Sequence, residues 1–308
     1  RLSKTAYKAA IPALRVRLVN AQYALQDSGF PVLVLIAGRD RTGCEQVVDR
    51  LMEWMDARYI DTWFATPASD EERARPLFWR YWRSKPPKGR IGLFVGAWIT
   101  TMISRRAAGT LRKSRYRQYL RYANNFDQLV TADGGRMVKI WLDLPRRVLK
   151  KRLKKSSDDP AIGRYVEQLD WTILEHYDKG EDIIQAALAD TGKHLPWHVI
   201  DGSDVRARDL EIARLILAEL DRPADPPPPA RRRRRKIPDH VAQVDTSASL
   251  PYKKYKKQLC EQQLRLHDLS LRCRTQKLGS VLVFEGWDAA GKGGVIRRII
   301  QPISARDD

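Results

Sequence analysis

Short apolar runs alternate along the chain with longer segments whose apolar residues recur at helical spacing. Residues 4–27 show this helical spacing and are closed by Ser28 and Gly29, and the run Pro31–Ala37 is typical of a buried strand. The strands predicted in this way are 31–37, 59–64, 91–97, 136–143 and 197–200, and the helices that follow the first strand are 44–57, 77–82, 145 onwards, 170–189 and 205–220. This alternation predicts an α/β fold with a doubly wound parallel sheet, whose ligand lies at the carboxyl ends of the strands.

One further strand-to-helix stretch carries candidate chemistry. Val281–Glu285 is predicted to be a buried strand, and it leads into a glycine-rich turn with a single lysine, Lys292. The spacing of Gly286, four residues, then Gly291 and Lys292 matches the Walker A phosphate loop, although Gly293 stands where Ser or Thr is usual. Glycines let backbone N–H groups converge on an anion, and the helix that follows directs its positive end towards it. The predicted phosphate-binding residues are Gly286, Gly291, Lys292, Gly293, Gly294, Arg297 and Arg298.

Asp288 is an acid inside this otherwise anion-binding loop. Since Gly293 supplies no hydroxyl for Mg²⁺, we expect Asp288 to hold the metal or to orient the acceptor phosphate, and the sequence does not separate these roles. Asp288 and Lys292 are therefore the candidate catalytic residues. Arg297 and Arg298 are secondary candidates, for which a solvated helix face is an equal alternative.

The chain contains a repeat. Gly286, Asp288 and Lys292 each lie 248 residues after a counterpart near the first strand, and the counterpart of Lys292 is Cys44. We therefore predict a tandem duplication with a first copy at 1–221, in which Asp40 and the glycines keep the loop shape without its lysine. The second copy spans 250–308 and is incomplete, and we expect these 308 residues alone to be inactive or nearly so.

Residues 222–249 interrupt the strand and helix pattern with a run of four prolines and a run of five arginines. They are predicted to form a stiff basic linker, with nuclear localisation, nucleic-acid binding or recruitment of the chain's own polyanion as functional alternatives. Two segments of the first copy each allow two interpretations. The aromatics of 77–82 favour core packing over base stacking, and the basic, tyrosine-containing stretch 105–122 suits either a solvated helix face or a lid over phosphates.

The composition restricts the class of binding partner and the cellular compartment. The formal net charge of +20 and the sequence pI near 10.0 indicate a polyanion, which could be nucleic acid, an anionic membrane or a phosphate polymer. The three cysteines show no metal-ligand spacing, which suits a reducing compartment, and no apolar run approaches the roughly 18 residues of a membrane span. We therefore expect a cytoplasmic protein without a membrane partner.

The loop Gly286–Gly294, the preceding Tyr252–Tyr255 and the pair Arg297–Arg298 together resemble the polyphosphate kinase 2 family. The tandem arrangement resembles its two-domain polyphosphate:AMP phosphotransferase type, and similarity continues in the first copy through 78–82, 89–94 and 195–200. In the first copy Val95 stands where the family has its Walker B acid.

The resemblance implies a P-loop-kinase-like fold and Mg²⁺-dependent transfer of a terminal phosphoryl group from inorganic polyphosphate to AMP, giving ADP. Nucleic acid then becomes an unlikely partner, and a homo-oligomer is one option that the sequence leaves open. An ATP-dependent nucleoside monophosphate kinase and a non-catalytic polyanion-binding protein remain as alternatives.

Overall fold

The computed structural model describes residues 2–96, 98–158, 168–223, 244–245 and 247–303, without the side chains of 168 and 169. It divides into two units, 1–226 and 227–308. The proline and arginine runs of the predicted linker lie outside the described residues. Among the described residues, no helix combines the length and apolar character needed to cross a bilayer.

The first unit is built on a parallel sheet of five strands. The strands are β1 (Val32–Gly38), β2 (Ile60–Phe64), β3 (Ile91–Val95), β4 (Arg136–Asp143) and β5 (Trp197–Asp201), in the order β2-β3-β1-β4-β5. Val32 pairs with Ile91 on one side and with Arg136 on the other, so β1 is central. The predicted doubly wound parallel α/β sheet is confirmed.

Helices cover both faces of this sheet. They are α1 (Lys4–Gln26), α2 (Arg41–Trp54), α3 (Asp70–Ala74), α4 (Trp79–Arg83), α5 (Thr100–Ala107), α6 (Lys113–Ala132), α7 (Arg146–Ser157), α8 (Gln168–Glu175), α9 (Tyr177–Thr191) and α10 (Val205–Asp221). The single helix predicted over 170–189 is wrong, because the chain breaks at His176 into α8 and α9.

Strand β1 is buried on both faces, which explains its continuous apolar run. Alternate side chains such as Val34 and Ile36 join the core beneath α1, α2 and α10. The intervening Leu33 and Leu35 join a second core that includes residues of α5, α6 and α9. The carboxyl end of β1 is thereby held rigidly between two layers, and the loop that follows starts from a fixed point.

Aromatic residues fill much of the second core. Tyr81 and Trp98 lie 4.7 Å apart and Trp98 and Phe126 4.8 Å apart between ring centroids, in edge-to-face contacts. Phe78 is also buried in this cluster, whereas the Trp82 side chain is 39% exposed and packs on Phe126. The packing interpretation of these aromatics is therefore supported.

The basic stretch 105–122 forms the end of α5 and the first half of α6. Tyr116 and Tyr119 are buried in the second core, whereas Arg115, Arg117 and Arg121 are exposed. This arrangement is that of an amphipathic helix with a solvated basic face.

The second unit contains two described helices, α11 (Tyr252–Thr275) and α12 (Lys292–Ile300). The predicted buried strand at Val281–Glu285 is wrong: the segment pairs with no strand among the described residues, and Val281 and Val283 are 89% and 76% exposed. Strand β1, by contrast, obtains its hydrogen bonds from β3 on one side and β4 on the other. Without neighbours, an apolar run of this kind can neither pair its backbone nor bury its side chains.

A buried ion pair joins β4 to α6 in the first unit. The Lys139 Nζ atom donates to Asp127 Oδ2 at 2.6 Å and to the carbonyl of Thr191 at 2.6 Å, and Trp98 Nε1 donates to Asp127 Oδ1 at 3.4 Å. Both charged side chains are 1% exposed. Because each partner satisfies the other away from water, removing one leaves an uncompensated buried charge.

We expect Lys139→Met to lower the free energy of unfolding by about 3–5 kcal/mol. The double variant Lys139→Met/Asp127→Leu should recover much of this loss, because no charge is then left unpaired. Urea unfolding followed by tryptophan fluorescence measures both, with the exposed Lys113→Met as the control. A double variant as unstable as the single one would contradict this account.

Candidate functional site

The loop of the second unit, Gly286–Gly291, leads into α12 without a side chain that caps the helix. Gly291 adopts a left-handed conformation with φ of 82° and caps the helix, and Ala289 is also left-handed with φ of 58°. The helix begins at Lys292, so the backbone N–H groups of its first turn have no intrahelical partners. They form the donor set that the sequence predicted for an anion, with the positive end of the helix dipole behind it.

Lys292 folds back over this loop. Its ammonium donates to the carbonyl oxygens of Gly286 at 2.7 Å and Trp287 at 2.6 Å. The side chain is therefore positioned at the loop without an acid, since no ion pair of Lys292 occurs in the described part of the chain. A phosphate could take over these hydrogen bonds while adding its charge.

Asp288 and Arg298 occupy different ends of the site. One Asp288 carboxylate oxygen accepts the N–H of Ala289 at 2.9 Å, which fixes the acid at the loop. Arg298 Nη1 donates to the carbonyl of Gly294 at 2.8 Å, and a Cβ added at Gly294 would lie 3.0 Å from that nitrogen. The glycine thus admits the guanidinium beside the first turn of α12. No side-chain hydrogen bond of Arg297 occurs among the described residues.

The first unit's loop has a different shape, which corrects the expectation that it is preserved. Here α2 begins at Arg41, three residues earlier in the repeat than α12, and Gly43 lies inside the helix. Asp40 is the reason: its side chain accepts the N–H of Gly43 at 3.1 Å, and its carbonyl accepts the N–H of Cys44 at 2.9 Å. The donors that face an anion in the second loop are satisfied internally in the first.

The Asp40 carboxylate is 1% exposed and is itself held by cations. Arg152 donates to one of its oxygens, and Arg208 lies close enough to act on it electrostatically. Burial raises the pKa of Asp40, and the charge of Arg152 opposes this shift. A Cβ at Gly43 would lie 1.9 Å from Asp40 Oδ2, so only glycine permits this approach. An internal carboxylate therefore occupies the anion position of the first loop.

The cleft above the first loop is lined by two acids, Glu45 and Asp49, and by one cation, Arg41, which pairs with Asp170 at 3.0 Å, so its charge does not favour phosphate. It is a cavity of about 500 Å³ at the carboxyl ends of β1, β2 and β3, and its lining includes Glu45, Asp49 and Val95. In the repeat, Glu45 and Asp49 correspond to Gly293 and Arg297 of the second loop. Cys44, at the position of the lysine, is 1% exposed, and burial raises the pKa of its thiol. The first unit thus lacks both the ammonium and the Walker B acid at this edge of the sheet.

Sequence reasoning missed Arg152 and Arg208. Arg152 stood in a basic helix whose other charges face solvent, and no local pattern distinguishes it. Arg208 reaches the loop from α10 only because the topology places that helix beside α2. An unexplained acid, Asp40, in a loop without lysine was the one signal that a cation partner existed elsewhere.

A family model described as polyphosphate kinase 2 matches residues 1–226 and 249–307. The chain is 35% identical to a polyphosphate:AMP phosphotransferase of Pseudomonas aeruginosa, covering 99% of this chain and 64% of that protein. It is 34% identical to a protein of the same name from Pseudomonas syringae pv. tomato, covering 97% of this chain and 62% of that protein. The chain therefore spans less than two thirds of the length of these relatives.

Two solved structures are similar to the fold. A chain from Pseudomonas aeruginosa PA01, assigned to polyphosphate kinase 2, superposes with a TM-score of 0.79 at 34% identity, covering 99% of this chain and 61% of that one. A polyphosphate kinase 2 from Arthrobacter aurescens TC1 superposes with a TM-score of 0.64 at 20% identity, covering 85% and 88% of the two chains. At that identity the second similarity shows the fold alone.

We expect Cys44→Lys to destabilise the first unit rather than restore a phosphate site. The new ammonium would be buried beside an anion position that Asp40 already fills, at a cost of roughly 2–4 kcal/mol. Urea unfolding measures this loss, and Cys44→Ala, which should cost about 1 kcal/mol, is the control.

Calorimetric titration with pyrophosphate tests the second half of this prediction. In a Lys292→Ala background, Cys44→Lys should add no binding. Pyrophosphate binding gained by Cys44→Lys in that background would show that the first loop can still open.

Proposed function

Because this chain belongs to the polyphosphate kinase 2 family, we propose that the protein transfers a terminal phosphoryl group from inorganic polyphosphate to AMP, giving ADP. In this reaction the bond between the terminal phosphorus and its bridging oxygen breaks, and a phosphate oxygen of AMP forms the new bond. The polymer becomes one phosphate shorter. The names of the relatives support the choice of polyphosphate and AMP.

The observation that carries the proposal is the difference between the two loops. The second loop presents a lysine ammonium and free N–H groups, whereas the first is closed by Asp40 and lined by acids. Phosphoryl transfer requires little covalent chemistry of the protein; it requires positioning and positive charge on the transferring group. We therefore assign phosphate binding to Lys292 and to the N–H groups of Gly291 to Gly294, with Arg298 at the edge of the site.

We also propose that Mg²⁺ takes part, bound by Asp288. The described residues contain no group of three or more metal-ligating side chains. Mg²⁺ nevertheless commonly uses one or two carboxylates, and substrate phosphates and waters complete its coordination, so one acid fits. When bound, the ion would neutralise charge on the phosphates, and Asp288 would keep it at the loop through the hydrogen bond that fixes its carboxylate.

A cytoplasmic location is part of this proposal. The three cysteines are free thiols, and AMP is an intracellular nucleotide, which suits a reducing compartment.

The direct test is ADP formation from AMP and polyphosphate in the absence of ATP, using the full product of the gene. Chromatography of the nucleotides and gel analysis of the polymer should show equal ADP gain and phosphate loss from the polymer. ADP formed only when ATP is added would instead identify a nucleoside monophosphate kinase, and no turnover with either donor would identify a non-catalytic polyanion-binding protein.

We expect Lys292→Ala to lower kcat/KM about 10²- to 10³-fold, because one preorganised charge on the transferring phosphoryl group is lost. Cys44→Ala should change kcat/KM less than about twofold, because its loop holds no phosphate. Lys292→Arg retains the charge without the geometry and should fall between them. Equal losses from Lys292→Ala and Cys44→Ala would contradict the assigned division between the two loops.

A further inference from the structure

Helix α7 carries an unusual concentration of charge. Its sequence contains seven basic residues and no acid. Leu149 and Leu153 bury one side of the helix in a small core with residues of α8 such as Trp171 and Leu174. Because this packing fixes the rotation of the helix, the opposite side is permanently presented to solvent.

The charges on that side have few partners. Arg146 pairs with Asp178 at 2.7 Å, and Arg152 turns inward to Asp40. The other five basic residues are exposed and make no ion pair with any described residue. We call them the α7 basic face: Arg147, Lys150, Lys151, Lys154 and Lys155.

Two acids of the described residues lie near this face. Glu175 lines an open hollow together with Arg147 and Lys150, and Asp158 caps the end of the helix. Even with both acids counted, the positive charge is in clear excess. An anionic partner at this face would therefore meet a net positive charge.

The arrangement of the α7 basic face is costly in the absence of a partner. Lys150 and Lys154 are four residues apart, as are Lys151 and Lys155, and like charges at this spacing repel each other on a helix. The helix dipole offsets part of the repulsion for the last turn only. The five charges extend over about 12 Å of helix axis, so they form a short, dense line of cations.

We propose that the α7 basic face is a docking surface for the inorganic polyphosphate chain. This inference rests on the function proposed above and adds a role for the first unit, whose own loop is closed to phosphate. Lysine ammonium groups act as point charges on phosphate and need no directional match, which suits a polymer without sequence. A chain held there would raise the local concentration of polymer for the protein that carries both units.

The composition of α7 favours a phosphate polymer over single-stranded nucleic acid. Proteins that bind single strands without sequence preference combine basic grooves with aromatic side chains on which bases stack. The helix Arg146–Ser157 contains no aromatic residue, and Trp171 of α8, which lines the hollow beside Arg147 and Lys150, is one half-buried ring rather than a series of stacking surfaces. Polyphosphate has no bases to stack, so charge alone is sufficient for its binding.

The test compares two variants that lose equal charge from the same unit. One is Lys150→Gln/Lys151→Gln/Lys154→Gln on the α7 basic face. The matched control is Lys113→Gln/Arg117→Gln/Arg121→Gln on the exposed side of α6. Anisotropy of end-labelled long-chain polyphosphate gives the Kd for the 308-residue chain across a salt series, and circular dichroism confirms that each variant is folded.

We expect the α7 variant to weaken binding roughly 50-fold near 0.15 M salt, because each lost contact forgoes the release of about 0.7 counterion. The slope of log K against log salt should flatten by about 2. The α6 control should weaken binding less than about fivefold. Equal losses in the two variants would show that only net charge matters, and an unchanged Kd in the α7 variant would show that the polymer binds elsewhere; either result overturns the proposal.

Competition experiments distinguish polyphosphate from nucleic acid as the ligand of the α7 basic face. Unlabelled polyphosphate should displace the probe, and a single-stranded or duplex DNA that displaced it as well, charge for charge, would make the surface a nucleic-acid site and overturn the assignment. No AMP is present in this assay, so docking and phosphoryl transfer are judged independently. In a Lys292→Ala background the fold-change caused by the α7 variant should be unchanged.

Discussion

The backbone N–H groups that begin a helix must find an acceptor, and this requirement applies to both loops. In the first unit the acceptor is Asp40, which binds the N–H of Gly43 and is held in turn by Arg152. In the second unit the helix starts three residues later in the repeat, and its first turn remains open. The two corresponding loop-helix segments therefore differ: the first is capped internally by Asp40, and the second leaves the N–H groups of its first helical turn open. A phosphate and an internal carboxylate compete for one position.

The charged residues around each loop are consistent with whether an internal carboxylate caps the helix. Once a carboxylate fills the first loop, a lysine beside it is no longer required for an anion, and a buried cysteine packs there instead. Acids at Glu45 and Asp49 are then compatible with the cleft, because no phosphate has to enter it. In the second loop the corresponding positions are Gly293 and Arg297, which add no acid to the one already in the loop, Asp288. The absence of an ammonium at Cys44 and the presence of acids at Glu45 and Asp49 are thus physically consistent with one another.

Much of the fold could be predicted because burial on both faces of a parallel sheet leaves a continuous apolar run, as in Val32–Gly38. Local pattern failed where long-range pairing decides the outcome. Val281–Glu285 has the composition of a buried strand, but the exposed Val281 shows that composition without neighbouring strands produces no strand. The turn at Gly291 was identifiable from spacing alone, because glycine geometry acts locally, whereas phosphate binding by Lys292 stays a prediction. The closure of the first loop was not identifiable, because Arg152 and Arg208 reach Asp40 through the tertiary fold.

Helix α7 contributes both to the closed first loop and to the basic outer surface of the first unit. Arg152 is the only one of its seven basic residues that turns inward to the loop, and there it compensates Asp40. The same helix presents Lys150, Lys151 and Lys154 outwards. Sealing the loop neutralises a charge inside the unit but does nothing to the charge outside it, so an internally capped loop is physically compatible with a basic outer surface. Loss of catalysis and retention of substrate affinity are physically separable, because the first depends on a few groups placed within hydrogen-bond distance and the second on net charge density over a surface.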